Sequence, residues 1–343
     1  EEALRLADLG LVVAGPEARA SPALFVLAER VAERLAATQQ VCPEAESNEM
    51  PLLDERSELP PAAKKARRLQ PLAPACAPRP PIRHPILEVP QGHALGLEKF
   101  VVRHLRGSAP VVVRGGCAGW PAVARWDSEA FWCDGALGRR FVPVEVDYWM
   151  DDGFKVMTVR DFVGHCCASG ITAPLGTSST GASLSRGGYL AQHALFEQVP
   201  ALSSDVCTPD IALCGAQGHV LRQVFFGPQG TVTPLHWDPY ENAFCQVVGA
   251  KYLRLYPPSE SSRLYARADG DALRNNSMVE PADILAGEAA SAYGGEQGKF
   301  PLLVEASYVD VVLEAGDMLY LPRGWWHFVK SLSVSISVAF HFD

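Results

Sequence analysis

The sequence predicts a mainly β protein with flanking helices, a jelly roll (double-stranded β-helix) of two facing sheets preceded by a helical segment. Three observations lead there. From His84 onward, short apolar runs recur between Gly and Pro punctuation, the pattern of many short strands. The final run alternates, with Val334, Ile336, Val338 and Phe340 on one face and serines and Ala339 on the other. The stretch Gly230 to Pro258 sets a histidine and a carboxylate two residues apart at a strand's mouth, where a jelly roll can house a ligand.

Taken in order, residues 1–42 read as an N-terminal helical segment, with Leu24, Leu27, Val31 and Leu35 at three- and four-residue steps after Pro22. Its apolar face either packs on the main domain or meets a partner. Residues 43–83 hold nine prolines amid Glu, Ser and Lys, too little apolar surface to order themselves, and are expected to form a disordered linker. Within it, Lys64-Lys65-Ala66-Arg67-Arg68 fits either a nuclear localisation cluster or a solvated charge run.

The folded domain is expected over 84–343. Leu95 to Leu105 reads as helix, Ala109 to Val113 and Phe141 to Val146 as strands, and Asp161 to Cys167 as a short helix. Residues 168–187, rich in Ser, Gly and Thr, read as a long loop able to act as a lid. Tyr189 to Phe196 is helical or extended, and Val220 to Phe226 is a strand; Gly230 to Pro258 is expected to supply two more. Residues 268–300 form an excursion without a clear pattern. Val309 to Leu313, Met318 to Leu321, His327 to Lys330 and Ser333 to Phe340 complete the sheets.

Composition excludes several classes. A net charge of -9 argues against direct nucleic-acid binding, which needs a basic surface, and favours a basic protein partner. Nine scattered cysteines without a Cys-x-x-Cys pair indicate neither a disulfide framework nor a zinc finger, and imply a reducing compartment. The adjacent Cys166 and Cys167 read as buried thiols rather than a redox pair. No apolar run approaches the roughly 20 residues of a membrane span, and Leu9 to Ala14 lacks a signal peptide's basic flank and cleavage site. The chain begins at Glu1 rather than Met, so it is silent on any signal further upstream.

The chemistry concentrates in three residues. On an extended strand His236 and Asp238 present an imidazole and a carboxylate to one point while Trp237 turns away. A third ligand candidate, His327, lies 91 positions on, after a Pro-Arg-Gly turn. Two histidines and one carboxylate form the facial set that suits non-haem Fe(II), although zinc accepts the same ligands. From Gly230, five residues precede His236, one separates it from Asp238, three lead to Asn242 and six to Gly249, a spacing that resembles the first cupin motif. From Gly316, five residues lead to Pro322, one to Gly324 and two to His327, which resembles the second. Lys251 shares an apolar strand face with Leu253 and Leu255, and so either snorkels outward or pairs with an anion inside.

The segments TPLHWDPYEN, QVVGAKYLRLYPP, GDMLYLPRGWWHFVKSLSVSISVAF and GGYLAQHALFEQVP resemble the jumonji-C family of Fe(II)- and 2-oxoglutarate-dependent oxygenases, over roughly residues 84–343. The resemblance implies that His236, Asp238 and His327 hold iron. It implies that Lys251 pairs the distal carboxylate of 2-oxoglutarate, with Thr233, Asn242 and Tyr189 hydrogen-bonding the same cosubstrate. It further implies oxidative decarboxylation of 2-oxoglutarate to succinate and CO₂, coupled to hydroxylation of a substrate C–H bond.

The same resemblance gives the substrate expectation: C3 hydroxylation of arginine in a protein or peptide, with demethylation of methyl-lysine in histones as the alternative. Glu145 matches an acidic residue that engages the substrate guanidinium. Phe225 stands where the family has Trp in one wall of the arginine pocket, and His341-Phe342 replace an aromatic pair at its rim; His341 is not counted as a metal ligand. Trp325 and Trp326 read as core rather than as a methyl-ammonium cage, since adjacent strand residues face opposite ways. A non-catalytic scaffold or transcriptional cofactor is a third reading, disfavoured by the intact triad together with Lys251. A nuclear location is expected, with the cytoplasm also compatible.

Overall fold

The computed structural model describes residues 71–72, 76–145, 154–168, 188–268, 270–271, 273–286 and 299–343. The expected helix over 1–42, the basic cluster at 64–68, most of the linker and the loop beyond residue 168 lie outside the described residues.

The strands are β1 (Glu88–Val89), β2 (Val111–Val113), β3 (Phe141–Glu145), β4 (Phe154–Thr158), β5 (Leu190–His193), β6 (Leu221–Gly227), β7 (Val232–Trp237), β8 (Glu241–Val248), β9 (Lys251–Tyr256), β10 (Val309–Leu313), β11 (Met318–Leu321), β12 (Trp326–Ser331) and β13 (Ser335–Phe342). They form a seven-stranded sheet in the order β1-β2-β11-β8-β13-β6-β5, a four-stranded sheet β10-β9-β12-β7, and a separate β3-β4 hairpin. Gly230 to Pro258 therefore supplies three strands rather than the expected two. The extra reversal sits at Gly249, whose φ of +70° suits glycine and where a Cβ would collide with the Val334 carbonyl oxygen and Ser333 Oγ.

Strand parity explains three packed layers. Between the sheets lie Val112, Phe244, Leu319, Leu321 and Ala339 from the large sheet, against Leu253, Leu255, Val311, Leu313 and Val329 from the small one. The opposite face of the large sheet carries Val111, Cys245, Val247, Ile336, Val338 and Phe340 into a second cluster with Trp126, Trp132 and Phe162. The helices Pro121–Arg125, Glu129–Cys133 and Val159–Ala168 supply that cover. The outer face of the small sheet buries Leu235, Tyr252, Tyr256, Trp326 and Phe328 with Leu264, Ile284 and Phe300. With both faces covered, every residue of β13 is buried. Its serines are satisfied inside: Gln246 Nε2 donates to Ser335 Oγ at 2.8 Å, and Ser337 Oγ donates to Gln246 Oε1 at 2.8 Å.

Ordered chain starts earlier than residue 84. Leu72 is buried in the helix-side core, and the Ala77 amide donates to the Leu332 carbonyl. The fully buried Asp310 carboxylate accepts from the Arg83 and His84 amides, at 3.1 and 2.9 Å, and from the Tyr252 hydroxyl at 3.1 Å. A buried carboxylate needs such donors, and the proline-rich segment supplies two from its backbone. Composition described the segment's own side chains; the anchor lies 226 residues away.

Candidate metal centre and adjoining pocket

Two antiparallel strands bring the histidines together. β7 and β12 pair with His236 opposite His327, and the rings lie 4.1 Å apart between centroids. His236 Nδ1 lies 2.8 Å from the Pro234 carbonyl oxygen, and His327 Nδ1 lies 3.1 Å from that of Trp325. A carbonyl only accepts, so each ring carries its proton on Nδ1 and turns an Nε2 lone pair into the barrel. Asp238 sits just past the end of β7, its carbonyl accepting from the Gly324 amide at 2.9 Å, which ties it to the turn before β12.

The Asp238 carboxylate then lies 3.9 Å from His236 Nε2 and 3.6 Å from His327 Nε2. One ligand atom from each of the three residues fits within a 4.8 Å span. Burial, reinforced by the neighbouring His236 ring, pushes the His327 imidazole down to about 3, so it is neutral, the ligating form. Burial by itself would raise the Asp238 carboxyl, but His327, His236 and His341 around it hold it below the usual range. Two imidazoles and one carboxylate, all carried by one end of one sheet, fit an Fe(II) ion with open coordination positions.

A bulge shapes the neighbouring wall. His327 pairs with His236 but Val329 pairs with Thr233, so β7 holds one extra residue there. Pro234, which has no amide proton to give the ladder, falls within the bulge. Thr233, three positions before His236, lies within hydrogen-bonding reach of the Tyr189 hydroxyl.

Lys251 lies deeper in the barrel. Along β9 it is four residues from Leu255, the partner of His327, a rise of about 13 Å. Its side chain is buried, 1% exposed, and its Nζ lies 5.7, 5.8 and 5.4 Å from the ring centroids of Tyr189, Phe225 and Phe244. Among the described residues no carboxylate pairs with it, and burial pushes its ammonium down to about 7. The snorkelling alternative therefore falls: the lysine is interior. A buried cationic group with aromatic walls and no counter-ion is the complement of a carboxylate brought by a ligand. Phe225, expected in the wall of a substrate pocket, has its ring beside this ammonium.

Glu145 ends β3 and exchanges both backbone hydrogen bonds with Tyr189, each at 2.8 Å. Burial pushes its carboxyl up to about 7, and it is near enough to act on the Tyr189 hydroxyl, whose own pKa burial raises. No cation among the described residues pairs with it. Glu145, Tyr189, Thr233, Phe225 and Lys251 thus form one chain of neighbours running inward.

Asn242 and His341 face each other on paired strands β8 and β13, with Asn242 Nδ2 3.1 Å from His341 Nε2. His341 Nε2 also lies 3.9 Å from the Asp238 carboxylate. Sequence reasoning set His341 aside, yet a signal was present: it shares the Ala339 face of β13, which turns into the barrel. Trp326 is buried and donates to Ser261 Oγ at 2.9 Å, and Trp325 donates to the Ser108 carbonyl at 3.0 Å, so both are structural.

The cupin-like domain family matches residues 97–343. The chain is 35% identical over 257 residues to "Lysine-specific demethylase 8" of Xenopus tropicalis, covering 74% of this chain and 52% of that protein. It is 36% identical over 265 residues to the protein of that name from Danio rerio, covering 76% and 59%. To "Jumonji C domain-containing protein 5" of Drosophila melanogaster it is 30% identical over 262 residues, covering 75% and 60%. The chain thus spans between half and three fifths of the length of these relatives. Oxygenases of this kind use Fe(II) and 2-oxoglutarate, and the triad with Lys251 is a donor set that fits both. By its matched domain, its relatives and its two-sheet barrel, the chain belongs to the cupin-like jumonji-C family.

Proposed function

We propose that the protein is an Fe(II)- and 2-oxoglutarate-dependent hydroxylase acting on arginine residues of a basic protein partner, in the nucleus. The observation that carries the arginine reading is Glu145: a largely buried carboxylate with no cation paired to it among the described residues, one residue pair from the aromatic wall of the Lys251 pocket. A planar guanidinium, always charged and able to donate two parallel hydrogen bonds, is the group such a carboxylate suits. The net charge of -9 adds long-range attraction for a basic segment.

The residues divide the work. His236, Asp238 and His327 hold the metal by Nε2 and carboxylate oxygen. Lys251, with the Tyr189–Thr233 pair beside it, takes the distal carboxylate of 2-oxoglutarate, and Asn242 contacts the same molecule at the metal end. Glu145 holds the substrate's guanidinium, and the covered sheets keep water from the target bond. When bound, iron with 2-oxoglutarate and dioxygen supplies the oxidising power for inserting one oxygen into a C–H bond, releasing succinate and CO₂.

The names of the relatives favour methyl-lysine as the second reading. The three rings of Tyr189, Phe225 and Phe244 already surround the protein's own Lys251, those of Tyr252 and Tyr308 lie by Arg254, and Trp325 and Trp326 are committed to packing. The test is mass spectrometry of arginine and methyl-lysine peptide libraries incubated with protein, Fe(II), 2-oxoglutarate and ascorbate, beside His236→Ala. A triad-dependent gain of about 16 Da on arginine is expected, one oxygen left by hydroxylation. A loss of about 14 Da per methyl group with formaldehyde release would replace the arginine reading by demethylation.

A further inference from the structure

The turn Pro322–Trp325, between β11 and β12, touches two of the three metal-ligand candidates. The Gly324 amide donates to the Asp238 carbonyl at 2.9 Å, and the Trp325 carbonyl oxygen lies 3.1 Å from His327 Nδ1. Its placement therefore sets the Asp238 backbone and the His327 ring relative to each other. The strand ladder on its N-terminal side stops short of it. β11 pairs with β8 as far as Leu321 opposite Asn242, and the next residue, Pro322, has no amide proton to continue.

Two side chains take over where the ladder stops. Glu241, the first residue of β8, accepts at Oε2 from the Arg323 amide at 3.0 Å and from the Tyr320 hydroxyl at 2.6 Å. Tyr320 is fully buried and packs edge-on against Phe100, with centroids 4.8 Å apart, so the carboxylate has a fixed support. The Arg323 guanidinium also approaches Glu241, at 3.8 Å, but it is half exposed and such a pair contributes little. From the other side, the Trp325 indole donates to the Ser108 carbonyl at 3.0 Å and to Ser108 Oγ at 3.2 Å. Ser108 has a φ of +46°, a conformation that persists in a non-glycine residue only where its surroundings hold it. It follows the π-helical turn Val101–Leu105, a rare geometry that recurs at functional sites.

We propose that Glu241 and Trp325 are metal-positioning residues: by pinning the Pro322–Trp325 turn from two sides, they fix the spacing of Asp238 and His327 and so the affinity and geometry of the centre. Neither is a ligand. Partners outside the ligand set act this way because a ligand atom that drifts loses bond length or angle at the metal. The role rests on the metal reading of the triad. It gives a task to a carboxylate that motif spacing passes over, three positions after Asp238 and one before Asn242.

The test uses the whole chain with Glu241→Ala, Glu241→Gln, which keeps an acceptor for the Arg323 amide, and Trp325→Phe, which keeps a ring without the indole N–H. Two controls accompany them. Arg323→Ala removes the exposed ion pair and leaves the amide bond; Asp310→Ala removes a buried carboxylate that, like Glu241, accepts from amides and a tyrosine hydroxyl, but whose bonds touch neither the turn nor a ligand. Mn²⁺ affinity is read by titration calorimetry and ligand geometry by the visible absorption of the Co²⁺-loaded protein, with circular dichroism to verify folding. Glu241→Ala and Trp325→Phe are expected to lose about ten-fold in Mn²⁺ affinity, the size of a lost outer partner, and to shift the Co²⁺ bands. Glu241→Gln should return to within about three-fold of wild type, and both controls should match wild type. Unchanged Mn²⁺ affinity and Co²⁺ bands in a folded Glu241→Ala would overturn the proposal; should that variant not fold, the same result in Trp325→Phe overturns it. An equal loss in Asp310→Ala would trace the effect to general stability and overturn it too. A wild-type protein that binds Mn²⁺ no better than His236→Ala would instead sink the parent reading of the site.

Discussion

The metal end and the lysine end of the barrel are built on opposite principles. At the metal end the two imidazoles are fixed by backbone carbonyls, and the Asp238 carboxyl is held below its usual range among the rings around it. At the lysine end, Lys251 and Glu145 are both withdrawn from water with no opposite charge paired to either among the described residues, and burial moves each toward neutrality. One end is preorganised by its own strands, as ligand geometry requires. The other holds a desolvation cost that an incoming ion of opposite charge would relieve, which is why the proposed function places ligand charges there.

The comparison breaks most sharply at the metal. His236→Ala should remove tight Mn²⁺ or Fe(II) binding, shown by calorimetry, and lower succinate production more than about a thousand-fold, as expected when a member of a cooperating set is lost. Retained metal affinity would mean that the strand pairing does not create the centre.

At the other end, Lys251→Met should weaken 2-oxoglutarate about a hundred-fold while leaving metal binding intact, because only the counter-charge for the distal carboxylate goes. The same variant tests the desolvation argument. The lysine is depressed from 10.5 in the unfolded chain to about 7 in the folded one, so between those values the unfolded state binds the extra proton. Stability of the ligand-free wild type should therefore rise from pH 7 toward pH 10.5 relative to Lys251→Met, read as the difference in their denaturation midpoints across that window. Parallel curves would show that the ammonium is solvated or paired.

The smallest effect belongs to Glu145→Gln. It should raise KM for an arginine peptide about ten-fold and leave 2-oxoglutarate affinity unchanged. The Glu145 carboxyl is raised from 4.5 to about 7, so the folded state binds the extra proton and the wild type loses stability as pH rises through that range. The glutamine variant should lack this loss. Equal loss of 2-oxoglutarate affinity would move Glu145 from the substrate's side of the pocket to the cosubstrate's.

Much of this was legible in residue order. Strand parity read from the sequence puts His236 with Asp238, and Lys251 with Leu253 and Leu255, on faces that the structure turns inward. Val309–Leu313 and Met318–Leu321 form strands at the bounds their apolar runs predict. These features depend on a two-residue repeat, a local property of the chain. Parity alone cannot place Thr233, because the bulge at Pro234 breaks the repeat and only the register against β12 reveals it. Composition is likewise silent on the anchor at residues 83 and 84, because Asp310, far along the chain, holds the Arg83 and His84 amides.

What the sequence determined by itself is the barrel class and the His236–Asp238 pairing on one strand face, since both follow from periodicity; the third candidate ligand, His327, joins them only through the pairing of β7 with β12. Tertiary structure alone decided which charges lack partners and which side chains share a wall. The isolation of Lys251, the exposure of Glu145 toward Tyr189, and the meeting of Asn242 with His341 depend on burial and on pairings between strands distant in sequence. An unpaired charge is defined by everything that surrounds it, and those surroundings exist only once the two sheets have closed.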